Sequence, residues 1–366
     1  MAEETKLKLQ EVVCPSCNAA ILKFNPNALI NECPSCHKQL VNPLVKPKEV
    51  VAPECIIPFT TDEQTFENAM TNALINQDYV PTNIFEHCNV DKVVQTYLPM
   101  YLFEGTYNAS WSCESAYEDQ KVDISRNWTN SGKTISTKTV KKWRPQNGNA
   151  AGNFAFLCLA NESDKIPAEL REFTRLFPYD VMMSKEYADG MIDFNDENMM
   201  TFERDADETL VWQKHGKDMV EETAKNAALN QIGNQEIRNF RASSSFNLTT
   251  RGKYVYAPFW FVYYNYAGDQ FHFLMDGIGQ RTEYSYPVDQ EEVDFVNGKE
   301  KIKKYVGWLW ILAFLLWYVA DFTVAIIYLV AWLIGKLIVN KIMNNKIQER
   351  LDNSRAERQE GANRLQ

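Results

Sequence analysis

Residues 305–339, YVGWLWILAFLLWYVADFTVAIIYLVAWLIGKLIV, decide the architecture of this chain. Asp321 and Lys336 are the only charged residues in the stretch. About 18 consecutive apolar residues are enough to predict a membrane span, and this stretch is roughly twice that length. It is too long and too uniformly apolar for the core helix of a soluble domain. We therefore expect the residues before it to form a water-soluble region tethered to a bilayer.

The length of the apolar stretch favours two spans over one. A single helix would measure about 52 Å, whereas the hydrocarbon core of a bilayer is about 30 Å thick. We predict a helical hairpin over 305–339 with its turn near Asp321, which places that charge at the far interface. A single span is the alternative, because the turn contains neither Gly nor Pro.

Lysines flank the apolar stretch on both sides. Lys301, Lys303 and Lys304 precede it, and Lys341 and Lys346 follow it. In a hairpin the positive-inside rule places both flanks in the cytoplasm. Residues 340–366 would then be a charged cytoplasmic tail, helical near the membrane and frayed beyond it. The predicted location is the bacterial cytoplasmic membrane, with the soluble region facing the cytoplasm.

Composition narrows the functional classes. The 366 residues provide room for two or three folded units. The net charge of −10 argues against a nucleic-acid-binding surface spread over the whole protein, since that would need a basic face. The charged N-terminus, MAEETKLKLQ, lacks the apolar core of a signal peptide, so we expect no secretory signal.

Two CPSC motifs at 14–17 and 33–36, separated by 15 residues, have the spacing of a structural zinc ribbon. Each motif directs two thiolates at one point, and together they complete a tetrahedral sulfur shell around Zn²⁺. The predicted ligands are Cys14, Cys17, Cys33 and Cys36. A closed shell leaves no position for a substrate, so the site would be structural. Iron in a rubredoxin-like site is the alternative metal.

The ribbon is predicted to span residues 1–44. A unit of this size cannot bury enough apolar surface alone, so the metal would supply most of its folding energy. The remaining cysteines are predicted to be buried thiols in a reducing compartment: Cys55, Cys88, Cys113 and Cys158. Lysines and glutamates balance within the ribbon, which favours a protein partner over nucleic acid.

The region between ribbon and membrane is predicted to be α+β, after a linker at 45–54. We expect an amphipathic helix at 62–77, capped by Thr60 or Thr61, and a helix at 217–241. Strands are expected at 97–111 and on both sides of a hairpin turn at 130–132, a turn-rich break at 145–153, and further strands over 245–287.

A short motif occurs twice in this region. Tyr97-Leu98-Pro99-Met100-Tyr101-Leu102 matches Tyr256-Ala257-Pro258-Phe259-Trp260-Phe261, and each copy follows a predicted helix. We interpret the repeat as a duplicated helix-plus-antiparallel-sheet module, with copies at 55–165 and 166–295. The two prolines are expected at strand edges, where a missing N–H is tolerated.

No catalytic constellation is legible, so we predict that the protein is not an enzyme. The chain has four histidines and no H-E-x-x-H motif. Gly132-Lys133-Thr134 lacks the first glycine of a phosphate-binding loop, because Asn127 stands there. His87 and Cys88 are adjacent in sequence, which does not bring their side chains together, and Asp205, Asp207 and Glu208 are expected in a solvated acidic loop.

The whole layout resembles a family of bacterial membrane-anchored zinc-ribbon proteins, often labelled TFIIB-type zinc-ribbon or primosomal-helicase-like. The resemblance rests on the two CPSC motifs, the two Tyr-x-Pro motifs and the apolar C-terminal stretch. Further landmarks are Ile57-Pro58-Phe59, Pro178-Tyr179-Asp180, Tyr187-Ala188-Asp189-Gly190 and Asp276-Gly277-Ile278-Gly279. It implies a non-enzymatic integral membrane protein that recruits or scaffolds partners, including phage-shock-like or flotillin-like (SPFH) membrane-organising proteins.

Overall fold

The fold is mixed α and β, with a large, mainly antiparallel sheet and a long apolar C-terminal helix. The computed structural model describes residues 6–16, 18, 20–23, 33, 44–126, 133–162, 166–175, 177–180, 183–188, 191–192, 199–309, 311 and 322–364. Two compact units are each built from separated segments, Met1–Phe59 with Gln95–Phe259 and Thr60–Val94 with Trp260–Gln366. The predicted contiguous modules at 55–165 and 166–295 divide the chain differently and stay a prediction.

The described elements comprise groups of strands separated by helices along the chain. The strands are β1 Lys6–Val13, β2 Ala20–Lys23, β3 Leu44–Val51, β4 Cys55–Ile56, β5 Asn89–Val90, β6 Val94–Arg126, β7 Lys133–Leu159, β8 Lys185–Glu186, β9 Met199–Thr201, β10 Ile237–Tyr266, β11 Asp269–Asp276 and β12 Thr282–Tyr284. The helices are α1 Glu63–Asn76, α2 Ile84–His87, α3 Ala168–Thr174, α4 Glu208–Val211, α5 Lys217–Ile232, α6 Gln290–Trp308 and α7 Phe322–Asn363, with a π-helical turn at Trp212–Gly216.

The first unit contains most of the sheet. Its strand order is β3-β1-β2-β9-β6-β10, with β7 also paired to β6 and β4 also paired to β10. The segment 45–54, predicted to be a linker, is largely strand β3, which pairs with all of β1 from Lys6↔Val51 to Val13↔Leu44. That prediction was wrong because the residues on both sides of Pro47 pair as an edge strand, a position that tolerates proline.

The break predicted at 145–153 is also wrong, since these residues lie inside β7 and pair with β6. Gly148 lies opposite Trp111, and a Cβ on Gly148 would come within 2.6 Å of the Trp111 ring. Gly152 lies opposite Tyr107, whose hydroxyl would be 2.8 Å from an added Cβ. The glycines therefore make room for aromatic rings of the neighbouring strand, a known way of keeping Gly in a sheet.

The two copies of the Tyr-x-Pro motif face each other across the antiparallel β6–β10 pair. Tyr97 is the register partner of Pro258, and Pro99 is the register partner of Tyr256. The rings of Tyr97 and Tyr256 are buried and lie 6.1 Å apart. The prolines were expected at strand edges, but both lie within long strands. The two copies of the motif are thus related by a local two-fold axis between the antiparallel strands.

Helix α5 packs on the antiparallel β6–β7 pair, whose predicted turn at 130–132 lies outside the described residues. Val220, Ala224 and Ala228 lie along one face of α5 and are fully or almost fully buried. Trp111 of β6 donates from Nε1 to Gln231 Oε1 at 3.0 Å, which ties the end of the helix to the strand. The helix predicted at 217–241 is confirmed up to Ile232, after which Gly233 takes a left-handed φ of 70° and ends it.

In the second unit, α1 covers the end of β10 and β11. The Phe66 ring is buried between Trp260 and Phe273, at centroid distances of 5.7 and 5.4 Å. The helix predicted at 62–77 is confirmed, but its cap is Asp62, which accepts a hydrogen bond from Thr65 N at 2.9 Å. Thr61 instead accepts from Trp260 Nε1 at 2.9 Å and donates to Gly277 O.

The C-terminal part of α7 does not fray as predicted but packs against α1, α2 and α6 within the second unit. Arg358 and Ser354 are buried, and helical structure continues to Asn363. Ser354 Oγ donates to Glu292 Oε1 of α6 at 2.6 Å. A pattern of buried residues spaced by about one helical turn, including Leu351, explains why this charged segment is ordered.

Candidate functional site

The described residues of the first CPSC motif, Cys14 to Ser16, follow β1 and precede β2, which pairs with it antiparallel. Cys14 directly follows β1, whose last residue, Val13, pairs with Ala20 at the start of β2. The main-chain N–H of Ser16 donates to Cys14 Sγ at 3.4 Å, and Asn18 N donates to Cys14 O at 2.9 Å. Asn18 has a left-handed φ of 58°, which turns the chain back toward β2. This is a tight turn around a sulfur atom.

The geometry of this turn fits a metal thiolate. An N–H···S bond stabilises negative charge on sulfur, and hydrogen bonds to ligand sulfurs recur in metal centres. Cys14 and Cys33 both have fully buried side chains. Cys17, Cys36 and His37 lie outside the described residues, and among the described residues no group of three His, Cys, Asp or Glu is placed to hold a metal. The four-cysteine zinc site therefore stays a prediction.

A second candidate feature is the apolar surface of α6 and α7. Among the described residues, α7 is the one helix that is long and apolar enough to cross a membrane. No residue in its apolar 18-residue stretch is buried. Its large exposed side chains are Val324, Ile326, Ile327, Val330, Leu333, Ile334, Leu337, Ile338 and Ile342. A core helix of a soluble protein would bury such residues, so this exposure favours a lipid environment.

Helices α6 and α7 run antiparallel. Tyr328 OH donates to Leu309 O, and Trp332 Nε1 donates to Val306 O, both at 2.8 Å. Farther along, Lys303 Nζ donates to Asn344 Oδ1 at 2.8 Å. The residue numbers of the bonded partners thus increase along α7 as they decrease along α6, as expected for antiparallel helices. The residues that connect the helices, 312–321 with the predicted turn at Asp321, lie outside the described part of the chain.

A cavity of about 190 Å³ in the first unit collects polar and nucleophilic groups. Glu162 accepts from His215 Nε2 at 2.7 Å and lies 3.1 Å from Lys214 Nζ. Burial raises the pKa of Glu162, but the hydrogen bonds from Lys214 and His215 outweigh it and leave that pKa below the usual range. Cys158, on the same wall, has its pKa raised by burial to about 12, so its thiol is not a nucleophile at neutral pH.

The other predicted residues have local structural contacts. Asp207 caps α4 by accepting from Leu210 N at 2.8 Å, and Asp205 accepts from Glu162 N at 2.7 Å. Cys55, Cys113 and Cys158 are buried as expected, and Cys88 is half-buried. Burial raises the pKa of the Cys88 thiol as well. The structure does not bring these cysteines into one site.

Two residues with roles near these features were not identified from sequence. Asn18 supplies the left-handed position of the CPSC turn, and the signal was its place directly after the motif, since Asn tolerates that conformation. Arg358 anchors the end of α7, but a single arginine in a charged tail gives no signal of burial.

Comparison of the chain with protein-family models, with curated protein sequences and with solved structures found no match. The resemblance to membrane-anchored zinc-ribbon proteins therefore stays a prediction from the motifs.

Proposed function

We propose that this protein is a non-enzymatic membrane-anchored adaptor, with a structural zinc ribbon, that recruits protein partners to the cytoplasmic surface of a bacterial membrane. The observation that carries the proposal is the exposed apolar surface of α6 and α7, which continues directly from a folded unit. An apolar surface of this extent is unstable in water, so the folded units are held at a lipid surface. The function is then exerted there.

The anchor in this proposal is a helical hairpin with two spans and a turn near Asp321. The antiparallel hydrogen bonds between α6 and α7 support it, because they bring the chain back toward its starting side. The flanking lysines, including Lys301 and Lys341, would then lie on one side of the membrane, the cytoplasmic one. The packed end of α7 would lie on that side too.

The ribbon in this proposal is a folded docking element. Cys14, Cys17, Cys33 and Cys36 would hold Zn²⁺, and the turn at Cys14 supports this because its main-chain N–H already points at sulfur. The metal supplies a rigid cross-link in place of a hydrophobic core. With the ligand shell closed, the ribbon offers a shaped surface for a partner rather than a reaction centre.

The test uses the intact chain, extracted from its native membrane in mild detergent. The wild type and Cys14→Ser are purified in parallel, and copurifying protein and nucleic acid are both identified. We expect about one zinc per wild-type chain and a protein partner that is lost in Cys14→Ser. The control is Cys88→Ser, which leaves the CPSC motifs intact and should retain metal and partner.

Three outcomes would overturn the proposal. Recovery of the chain in the soluble fraction would remove the anchor. Recovery of the same partner with Cys14→Ser would remove the ribbon from the interaction. Salt-sensitive binding of nucleic acid that depends on Cys14 would instead establish a membrane-tethered nucleic-acid-binding protein, the alternative that the sequence left open.

A further inference from the structure

A band of lysines surrounds one end of the apolar helix pair. Over residues 299–309 and 322–346 the chain has seven lysines and a single acidic residue, Glu300. The whole chain has the opposite balance, with a net charge of −10. The lysines are Lys299, Lys301, Lys303, Lys304, Lys336, Lys341 and Lys346. Positive charge is therefore concentrated where the apolar surface ends.

Part of this band lines a cavity of about 540 Å³ between α6 and α7. Lys304 is contributed by α6 and Lys336 by α7, and the exposed Trp308 ring forms an apolar part of the wall. This volume is within the range of sites that hold small molecules or head groups. The cavity thus combines three lysines from two helices, one of them paired with the lining residue Glu300, with an aromatic side chain.

The cations in the cavity are not equivalent. Lys303 is held by Glu300 and by Asn344 Oδ1, so its charge is largely compensated within the protein. Lys336 lies with its ammonium 5.1 Å from the centre of the Trp332 ring, and it is placed about one helical turn deeper in the apolar surface than Asn340. A lysine at that depth extends its ammonium toward the head-group layer.

The cavity also contains a polar atom with an unmet hydrogen bond. Asn340 Oδ1 is shielded from solvent, and none of the described residues donates to it. A buried acceptor without a donor costs about 1–3 kcal/mol, so a bound group with a hydroxyl or ammonium donor would be favoured there. The site therefore suits a ligand that carries an anion and a hydrogen-bond donor together.

We propose that this cavity binds the head group of an anionic phospholipid of the phosphatidylglycerol type. The phosphate would lie between Lys304 and Lys336, and a glycerol hydroxyl would donate to Asn340. The acyl chains would follow the exposed apolar side chains of α7, including Leu333 and Leu337. This inference rests on the proposed membrane anchor, and it adds a specific lipid to it.

The lipid source is favoured over a soluble phosphate ester by the surroundings of the cavity. Trp308 and Tyr305 are 59% and 71% exposed, and aromatic side chains of this kind concentrate at the head-group level of bilayers. A soluble ester would leave these rings in water. Basic pockets between membrane helices on the cytoplasmic side are established sites for anionic head groups.

The test measures lipid binding to the full chain in detergent micelles. Phosphatidylglycerol, phosphatidylcholine and inorganic phosphate are titrated separately, and bound lipid is counted by native mass spectrometry. The variant Lys304→Gln/Lys336→Gln should bind phosphatidylglycerol about 25-fold more weakly, at about fivefold per lysine. The matched control, Lys341→Gln/Lys346→Gln, removes the same charge from exposed positions outside the cavity and should retain most of the affinity.

The outcomes distinguish a specific lipid site in the cavity from nonspecific binding to the lysine-rich surface. Equal loss in both double variants would show a diffuse basic surface and overturn the site. Equal competition by inorganic phosphate would overturn the lipid as the ligand. Asn340→Leu supplies a second variant, which should reduce preference for phosphatidylglycerol over phosphatidic acid, since the latter lacks the glycerol hydroxyls.

A flotation assay separates this inference from the proposed function. If the wild type floats with phosphatidylcholine and phosphatidylglycerol vesicles alike and binds neither lipid preferentially, the anchor holds and the lipid site fails. If it floats with neither, the anchor itself fails.

Discussion

The guanidinium of Arg358 caps the C-terminal end of α1 at Ile75. Arg358 is fully buried, and its Nε and Nη2 donate to Ile75 O at 3.1 and 2.9 Å. Further bonds reach Gln77 O and Val80 O at 2.9 and 2.7 Å. The last carbonyls of a helix have no partner within the helix and carry partial negative charge, so a cation satisfies them well. The far end of α7 is thereby fixed to the helix that opens the second unit.

Replacing Arg358 by Met should release the end of α7. The carbonyls of Ile75 and Val80 would be left buried without donors, at a cost of about 3 kcal/mol. Hydrogen exchange measured by mass spectrometry should show faster exchange in both the last turn of α1 and residues 351–363. The control is Arg364→Gln, which removes an exposed ion pair with Glu86 and should cost less than about 1 kcal/mol. Unchanged protection in Arg358→Met would contradict a capping role.

Sequence reasoning recovered the features that depend on local pattern. The helix at 62–77 was predicted from its 3.6-residue period and the second arm of the apolar stretch from its composition, and α1 and the first part of α7 lie there. The turn of the predicted hairpin lies outside the described residues. The turn at Cys14 was predicted because two cysteines in a short motif need a tight turn, and the described half of that motif has one.

The features that sequence reasoning missed depend on partners far apart in the chain. Residues 145–153 looked like a turn because Gly and Pro disfavour strands, yet the rings of Trp111 and Tyr107 occupy the space over Gly148 and Gly152. The end of α7 looked like a solvated tail, since nothing local shows that Arg358 meets carbonyls almost 300 residues earlier. Tertiary contacts decided both cases.

Gly105 should tolerate no side chain. A Cβ there would overlap the main-chain oxygen of Asn247 on β10 and come within 2.7 Å of Phe154 Cζ. Gly105→Ala should therefore separate β6 from β10 locally and cost about 1–3 kcal/mol, because backbone cannot move as a side chain can. Faster hydrogen exchange in peptides covering 100–110 and 243–253 is the expected readout.

Gly298 provides the matched control with the opposite sign. It lies in α6 with nothing within 4 Å of an added Cβ. Gly298→Ala should stabilise α6 by about 0.5–1 kcal/mol, since Ala has less freedom to lose in a helix. Equal effects of the two substitutions on local exchange would show that the close approach at Gly105 is not the cause.

Asp276 should make the β11–β12 region less stable as pH rises. Burial raises the pKa of its carboxyl, against hydrogen bonds from main-chain groups that include Gln280 N at 2.9 Å. Below its ordinary pKa of 3.8 the carboxyl is protonated in both the folded and the unfolded state, and above that pH the unfolded state ionises first. The contribution of Asp276 to stability is therefore largest at low pH and falls as pH rises toward its folded pKa.

The measurement compares wild type with Asp276→Asn between pH 4 and 7. Exchange in peptides covering 269–284, corrected for its intrinsic pH dependence, should show a free-energy difference that shifts in favour of the variant as pH rises. Leu274→Ala is the control, because loss of a buried apolar side chain destabilises by the same amount at every pH. A difference between wild type and Asp276→Asn that stays constant with pH would refute the assignment.

Asn18 should set the zinc affinity of the ribbon without binding the metal. Its left-handed φ of 58° is easy for Gly and costs a β-branched residue about 1–2 kcal/mol. Asn18→Gly should therefore keep wild-type affinity, whereas Asn18→Val should bind zinc about 10-fold more weakly. Competition with a chromophoric chelator on the full chain measures both, with Cys14→Ser as the variant that loses zinc. Equal affinity of the Gly and Val variants would show that the turn seen at Cys14 is not the one that holds the metal.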